Sequence, residues 1–345
     1  MMVETLHSRL GFDDSVLSWV SDPEETGTTS TVPDLERLAS LGLLNLGIDD
    51  RHHLDGQAAV ISALAHRSMS VAFSAWAHRM VVEYVGVGGH SPGLLAALQR
   101  IDLIGSTAMA SALRAKLGLE RVGLTAVPDR NGYLVQGGIP WASNLYQDRT
   151  LVVAAGEKPD GSHVVLSLLL DGKQVRATSA PALLALQATA STSVVVEDAG
   201  VPAERVISED LNAFLTRVRP TFMVLQAAFA IGLGEAALAV VDVPLHGADT
   251  VLDADRNQLL SRHSWLVDTT MAALSGPGIT ARELVSYRLE ASEFAQAAVA
   301  AEARKEGGRG YVAASSTARR IREAAFLPIQ SPTESQLRWE LQCSA

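Results

Sequence analysis

Residues 131–144 read NGYLVQGGIPWASN, and this stretch decides how the chain folds. Asn131 and Gly132 tolerate positive φ well, and a type I′ hairpin turn needs positive φ at both of its central residues. We therefore expect one strand to enter the turn and another to leave it. Because side chains alternate along a strand, Trp141 and Ser143 should lie on the same side, with a flat apolar face beside a hydroxyl. A core aromatic next to a hairpin is the alternative for Trp141.

The stretch resembles the middle domain of the acyl-CoA dehydrogenase superfamily. In that family a motif of the form NGY-x-LNG-x-K-x-W-I-T-N carries a Trp and a hydroxyl that border the flavin ring. The matching residues here are Asn131, Gly132, Tyr133, Gly137, Trp141, Ser143 and Asn144. The resemblance extends over nearly the full chain. It implies FAD as the cofactor, bordered by Trp141 and Ser143, an acyl thioester or related small metabolite as the substrate, and a homodimer or homotetramer.

Composition narrows the class of protein. The 345 residues are 48% hydrophobic and 19% charged, which is typical of two or three packed units around a large core. A formal charge of -10 argues against binding to nucleic acid or to an anionic membrane, because both need a basic surface. A single cysteine, Cys343, allows no internal disulfide, and the first residues lack the apolar core of a secretory signal. We expect a cytoplasmic protein.

The spacing of apolar residues changes twice along the chain. Residues 1–100 have helical spacing, residues 101–210 have short alternating runs between turn residues, and residues 211–345 return to helical spacing. We therefore predict an α+β protein with an N-terminal helical domain, a middle antiparallel β-barrel or sandwich domain and a C-terminal four-helix bundle. The resemblance implies the same order.

Several helices can be placed from this spacing. Residues 55–85 predict one long buried helix. In the C-terminal part, helices are predicted over residues 222–243, 259–274, 281–304 and 316–326. The most apolar run, residues 221–245, is interrupted by polar residues, so a buried bundle helix explains it better than a membrane span. Either a second subunit or the same chain could cover that helix.

Motifs near the C-terminus extend the resemblance to the catalytic position. GGRGY at residues 307–311 is similar to the family's G-G-x-G-Y, and IQSPTESQ at residues 329–336 falls on I-Y-E-G-T-x-E-I-Q. In many members the Glu of that last motif removes the α-proton of the thioester, and here Ser331 stands in its place. A carboxylate in a dry pocket can serve as a general base near neutral pH, whereas a hydroxyl needs an activating partner. Ser331 and Glu334, the nearest carboxylate, are the predicted catalytic residues.

The resemblance also implies further contacts with FAD. Ser111 lies where the family has a flavin-binding loop of the form T-E-P-x-A-G-S-D, although the Glu and the Gly-Ser-Asp are missing here. Arg304 replaces the Gln that usually precedes the Gly-Gly turn. Gly307 and Gly308 keep that turn, and Thr333 keeps the position beside the adenosine.

Three functions remain open at this point. The first is a flavin-dependent dehydrogenase that uses a base other than Ser331. The second is a flavin-dependent monooxygenase, because monooxygenases on the same fold also lack the catalytic Glu. The third is a non-catalytic subunit that has lost FAD, which the missing phosphate-binding residues would explain.

Two other patterns predict no site. His52 and His53 have no further ligand at a suitable spacing, so we predict a solvated turn and no metal. The pattern Gly232-x-Gly234-x-x-Ala237 imitates a dinucleotide fingerprint. It lies within a predicted helix and follows no strand, which that motif requires.

Overall fold

A computed structural model describes residues 4–48, 54–89, 91–243, 247–275 and 279–343. The turn predicted at His52 and His53 lies outside these residues. The helices of the described residues are α1 Leu6–Arg9, α2 Pro23–Thr26, α3 Val32–Ser40, α4 Leu54–Arg67, α5 Met69–Gly88, α6 Pro92–Gln99, α7 Ala110–Lys116, α8 Leu211–Val241, α9 Asp253–Leu274, α10 Ala281–Glu306, α11 Ser316–Ala324 and α12 Glu334–Cys343. Their strands are β1 Ile104–Thr107, β2 Leu124–Asp129, β3 Gly132–Ala142, β4 Thr150–Glu157, β5 His163–Leu169, β6 Val175–Ala177, β7 Thr192–Pro202 and β8 Val206–Ser208.

The single helix predicted over residues 55–85 is wrong, because the chain breaks into α4 and α5 at Ser68. Ser68 has extended backbone angles, φ −152° and ψ 114°, and its hydroxyl accepts a hydrogen bond from the N–H of Val71 at 3.3 Å. It therefore caps the N-terminus of α5. The same hydroxyl donates to Oδ2 of Asp22 at 2.6 Å, a contact that apolar spacing does not reveal.

The strands form one sheet in the order β6-β7-β3-β2-β4-β5-β8, and β1 pairs with β4. Most neighbouring strands are antiparallel, as predicted, while β4 pairs in parallel with β1 and with β2. Both faces of β4 are buried. Leu151 and Val153 belong to the core shared with the helices, and Val152 and Ala154 belong to a second core within the β-region. The sheet thus packs against the helices through one face of β4 and encloses its own core with the other.

The hairpin near Asn131 is confirmed, but its predicted turn type is wrong. Asp129 pairs with Gly132, so the two turn residues are Arg130 and Asn131, and neither has positive φ. Gly132 follows the turn with φ 148°. A Cβ at this position would lie 2.1 Å from the carbonyl oxygen of Val201, so glycine is needed for the close approach of β7.

Helix α8 is the central helix of the protein. It starts at Leu211 instead of the predicted residue 222, because the side chain of Asp210 accepts a hydrogen bond from the N–H of Ala213 at 3.0 Å and caps it. It packs against α4, α5 and α10. In the described ranges, α8 is the one helix long and apolar enough to cross a membrane, and 89% of its apolar window is buried. The chain itself therefore covers this helix, as one of the two alternatives predicts.

Gly232 and Gly234 lie within α8, as predicted, and they face different neighbours. A Cβ on Gly232 would lie 2.1 Å from the carbonyl oxygen of Ser62 on α4. A Cβ on Gly234 would lie 2.5 Å from the ring of Phe294 on α10. These glycines allow close helix packing, which explains the pattern without a nucleotide.

The remaining C-terminal helices agree with the predicted ones to within a few residues, except at the start of α9. That helix begins at Asp253, six residues before the predicted start at residue 259. Helix α12 has no counterpart in the sequence analysis.

Candidate functional site

A cavity of about 550 Å³ lies between the β-region and the helices. Its volume is in the range of small-molecule and cofactor sites. Helices α5 and α8 form one wall, the end of β3 a second, residues 183–191 a third, and the chain after α11 a fourth. Side chains that represent these walls are Phe73, Phe222, Trp141, Leu184 and Ser331.

Trp141 and Ser143 both line this cavity at the end of β3. Trp141 is 57% exposed, which excludes the alternative of a core aromatic. Asn144 has φ 61° and anchors this end of the strand. Its Nδ2 donates to the carbonyl oxygens of Ser74, at 2.9 Å, and Gly105, at 3.1 Å. Because those residues lie on α5 and β1, one buried amide connects three elements at the cavity wall.

The helical wall of the cavity is aromatic. The rings of Phe73 and Trp76 on α5 are stacked with centroids 5.3 Å apart. Phe222 of α8 meets the Trp76 ring edge-on at 5.0 Å, and Phe326 meets the Phe73 ring in the same way at 4.9 Å. Such pairs stabilise one another beyond the area that they bury. The result is a rigid apolar surface from which water is readily displaced.

Apart from the indole N–H groups of Trp76 and Trp141, the polar side-chain groups on the cavity wall are hydroxyls, one amide and two guanidinium groups. They belong to Thr107, Ser143, Thr189, Ser191, Ser331, Thr333, Gln330, Arg114 and Arg322. None of the described lining residues is Asp, Glu, His, Lys, Tyr or Cys. The described wall therefore offers hydrogen bonds and positive charge but no ordinary general base.

The two predicted catalytic residues occupy different places. Ser331 lines the cavity, and its buried Oγ has no hydrogen-bond partner among the described residues. Its carbonyl oxygen accepts a hydrogen bond from Nε2 of Gln226 at 2.9 Å. Glu334 begins α12, accepts a hydrogen bond from Nε of Arg338 at 2.9 Å and does not line the cavity. The position of Glu334 therefore does not favour a role as a base, whereas Thr333, beside it, does line the cavity.

Four of the residues that the resemblance implies as FAD contacts do not line the cavity. Ser111 lies on α7, which reaches the cavity through other side chains. Arg304 lies near the end of α10, with its guanidinium 3.0 Å from the carboxylate of Asp255. Gly307, with φ 55°, and Gly308 follow the end of the same helix. Contact between these four residues and a cofactor stays a prediction.

A buried ion-pair network holds α11 against α2. The guanidinium of Arg319 lies 3.0 Å from the carboxylate of Glu323 and 3.5 Å from that of Asp22. Arg322, which lines the cavity, lies 2.7 Å from Glu24. Burial raises the pKa of Glu323 to about 7, although Arg319 opposes this effect. The network thus fixes the helix that carries Arg322.

The sequence matches no protein-family model and no curated protein. The structure, however, is similar to that of an acyl-CoA dehydrogenase from Geobacillus kaustophilus, with a TM-score of 0.84, 18% identity, and coverage of 98% of this chain and 97% of that one. The chain has the acyl-CoA dehydrogenase fold. A glutaryl-coenzyme A dehydrogenase in complex with glutaryl-CoA has a TM-score of 0.81 at 13% identity, with coverage of 98% of this chain and 93% of that one.

The acyl-CoA dehydrogenase fold confirms the predicted order of helical, β and helical regions. A Bacillus anthracis acyl-CoA dehydrogenase complexed with FAD also has this fold, with a TM-score of 0.74, 15% identity, and coverage of 91% of this chain and 60% of that one. At identities of 13 to 18% this likeness establishes the fold alone.

Several residues of this cavity were not predicted from the sequence, among them Thr189 and Ser191. These two lie in an irregular segment before β7 that has no periodic spacing and no motif. The hydrogen bonds from the N–H of Asn144 to the carbonyl of Thr189, at 2.7 Å, and from Leu145 to Ala190, at 3.2 Å, bring this segment beside the end of β3. Such a contact is set by tertiary structure and leaves no local signal in the sequence.

Proposed function

We propose that this protein is a flavin-dependent oxidoreductase of the acyl-CoA dehydrogenase type that acts on an acyl thioester or a related small metabolite. The observation that carries the proposal is the exposed indole of Trp141 beside the hydroxyl of Ser143 in an apolar cavity of about 550 Å³. A flat aromatic face with a hydrogen-bonding group at its side suits a planar ring system such as the isoalloxazine of FAD. The Bacillus anthracis structure on the same fold is complexed with FAD.

The cavity residues fit this cofactor. Trp141 offers a face for stacking, and Ser143 and Thr333 offer hydroxyls to polar atoms of FAD. Arg114 and Arg322 offer positive charge to its phosphates, since a guanidinium has five N–H donors and its ion pair uses only some of them. When bound, FAD supplies a two-electron acceptor. The aromatic wall keeps water away from the ring.

The lining of the cavity also favours a second candidate function, a flavin-dependent monooxygenase. Dehydrogenation of a thioester requires removal of an α-proton as well as a hydride, and the described lining residues include no general base. A monooxygenase, which takes O₂ as second substrate and reduced flavin as electron donor, does not need that proton to be removed. Dehydrogenation by this protein would need a base supplied by the substrate, by water or by a residue outside the described lining.

Binding of FAD is the first test. Titration of the purified protein with FAD should give a bound flavin spectrum, and Trp141→Ala should weaken binding about tenfold, because one aromatic contact is worth up to about 1.5 kcal/mol. Trp265→Ala is the matched control, since Trp265 is 46% exposed on α9 and does not line the cavity. A wild-type protein without affinity for FAD would overturn the proposal and favour a non-catalytic subunit.

Oxygen dependence separates the two enzymatic functions. A dehydrogenase loaded with FAD bleaches its flavin band anaerobically when an acyl thioester is added, and it turns over with an artificial electron acceptor. A monooxygenase forms product only with O₂ and supplied reduced flavin. Assembly as a homodimer or homotetramer and a cytoplasmic location stay predictions, and light scattering of the purified protein tests the first of them.

A further inference from the structure

Three hydroxyls on the cavity wall form a continuous hydrogen-bonded chain. Oγ1 of Thr189 lies 2.7 Å from the carbonyl oxygen of Leu186 and 2.7 Å from Oγ of Ser191. Oγ of Ser191 lies 2.7 Å from Oγ of Ser143. All three hydroxyl-bearing residues line the cavity, and Thr189 is fully buried.

The direction of every hydrogen bond in this chain follows from its first member. A carbonyl oxygen has no proton, so the 2.7 Å contact with Leu186 requires Thr189 to donate. Each hydroxyl has one proton, so Ser191 must donate to Thr189, and Ser143 must then donate to Ser191. Ser143 has no second proton. Towards the cavity it can therefore only accept a hydrogen bond.

The backbone around Thr189 is built to hold this arrangement. Leu186 and Ala190 have φ of 60° and 47°, a region that residues other than glycine rarely adopt. Such a backbone conformation is strained and persists only where surrounding contacts impose it. Here the contacts are the hydrogen bonds that the backbone N–H groups of Asn144 and Leu145 donate to Thr189 and Ala190.

We infer that Thr189 and Ser191 act as positioning residues that make Ser143 an obligate acceptor, and that this biases a bound flavin towards its reduced form. The inference rests on the proposed binding of FAD, with the N5 edge of its ring placed at Ser143. Oxidised isoalloxazine has a lone pair at N5, whereas the two-electron-reduced ring would present an N–H there. An acceptor facing that edge of the ring stabilises the reduced form and repels the oxidised one. The group recognised by Ser143 is therefore a ring-edge N–H donor.

The midpoint potential of the bound flavin tests this inference. Ser191→Ala removes the acceptor for the Ser143 proton, so that Ser143 can donate to oxidised N5. The stability of reduced relative to oxidised flavin should fall about fivefold, because one hydrogen bond has a net worth of about 1 kcal/mol. For a two-electron couple this is a shift of about 20 mV to more negative potential.

Two substitutions at Thr189 provide an internal control. Thr189→Val removes the first donor and lets Ser191 turn its proton to Ser143, so the potential should shift in the same direction. Thr189→Ser keeps the hydroxyl and should leave the potential at the wild-type value. Ser193→Ala removes a nearby hydroxyl on β7 that contacts Thr178 and not the cavity, and it should also have no effect.

The outcomes distinguish this inference from the proposed function. If Ser191→Ala binds FAD with an unchanged or more positive potential, the hydroxyl chain does not set the polarity of Ser143, while the flavoprotein proposal stands. An equal shift in Thr189→Ser and Thr189→Val would also overturn the inference, because it would point to a packing effect. If the wild-type protein binds no FAD, both proposals fail.

Discussion

Replacing Gly232 with alanine should destabilise the protein, although the same change stabilises an isolated helix. Gly232 lies where α8 crosses α4, and a Cβ at this position would lie 2.1 Å from the carbonyl oxygen of Ser62 and 2.9 Å from its carbonyl carbon. Ordinary van der Waals contact starts at 3.4 Å. The two helices would have to separate by about 1.3 Å, the difference between the first and last of these distances.

The expected loss of stability can be worked from these contacts. Overpacking a core costs about 1–3 kcal/mol, and the upper end applies here because the new atom meets backbone that no rotamer change can move. The helix propensity of alanine returns about 1 kcal/mol. We expect the free energy of unfolding to fall by about 2 kcal/mol, measured by urea denaturation with circular dichroism and tryptophan fluorescence as probes.

Gly86→Ala is the matched control. Gly86 lies within α5, and a Cβ there would make an ordinary contact of 3.8 Å with the side chain of Ile48. The free energy of unfolding of Gly86→Ala should equal that of the wild type or exceed it by up to about 1 kcal/mol. If Gly232→Ala were as stable as Gly86→Ala, with equal denaturant dependence, the close packing of α8 on α4 would be refuted.

Three further predictions concern charged and catalytic positions. Burial raises the pKa of Glu323 from 4.5 to about 7, so the folded protein keeps a proton that the unfolded chain releases. As the pH rises from 4.5 to 7, the free energy of unfolding of the wild type, measured in urea, should fall by up to about 3 kcal/mol relative to that of Glu323→Gln. Parallel pH curves for the two proteins would contradict this. Glu83→Ala leaves the buried guanidinium of Arg79, 2.9 Å away, unpaired and should cost about 3–5 kcal/mol in thermal or urea unfolding. As a control, Asp102→Ala breaks the exposed ion pair with Arg100 and should cost less than about 1 kcal/mol. If the two variants lost equal stability, burial would not account for the importance of the Arg79–Glu83 pair. Ser331→Glu adds a carboxylate to the cavity wall and should allow anaerobic reduction of bound flavin by an acyl thioester; a variant that binds FAD and thioester without reduction would contradict it.

Local patterns predicted the architecture where the determining interactions are local. Apolar spacing predicted α10 and α11 nearly to their ends, and turn residues predicted the hairpin of β2 and β3. The errors occurred where distant residues intervene. The break at Ser68 is stabilised by Asp22, 46 residues away, and Gly132, next to the hairpin turn, lies against the carbonyl of Val201 on β7.

The residues of the cavity also separate into those that local patterns predict and those that only the packing of distant segments brings together. Trp141 and Ser143 were predicted on one ligand surface, and both line the cavity. Ala142 between them lines it too, and Ser143 follows the end of β3, so strand alternation alone does not place them there. The lack of a carboxylate at position 331 was visible directly. That Glu334 does not line the cavity, and that Thr189 and Ser191 do, could not be predicted, because each depends on how separate segments pack.

By itself the sequence determined the order of helical and β regions, the buried character of α8 and the types of side chain available for chemistry, since periodicity and residue identity are properties of short segments. Only the tertiary structure decided that the cavity wall has no carboxylate among the described residues and that Ser143 faces the cavity as an acceptor. Ser143 and Ser191 are 48 residues apart, and Gln226 and Ser331 are 105 apart. The direction of a hydrogen bond is set by which atoms meet, and folding alone brings those atoms together.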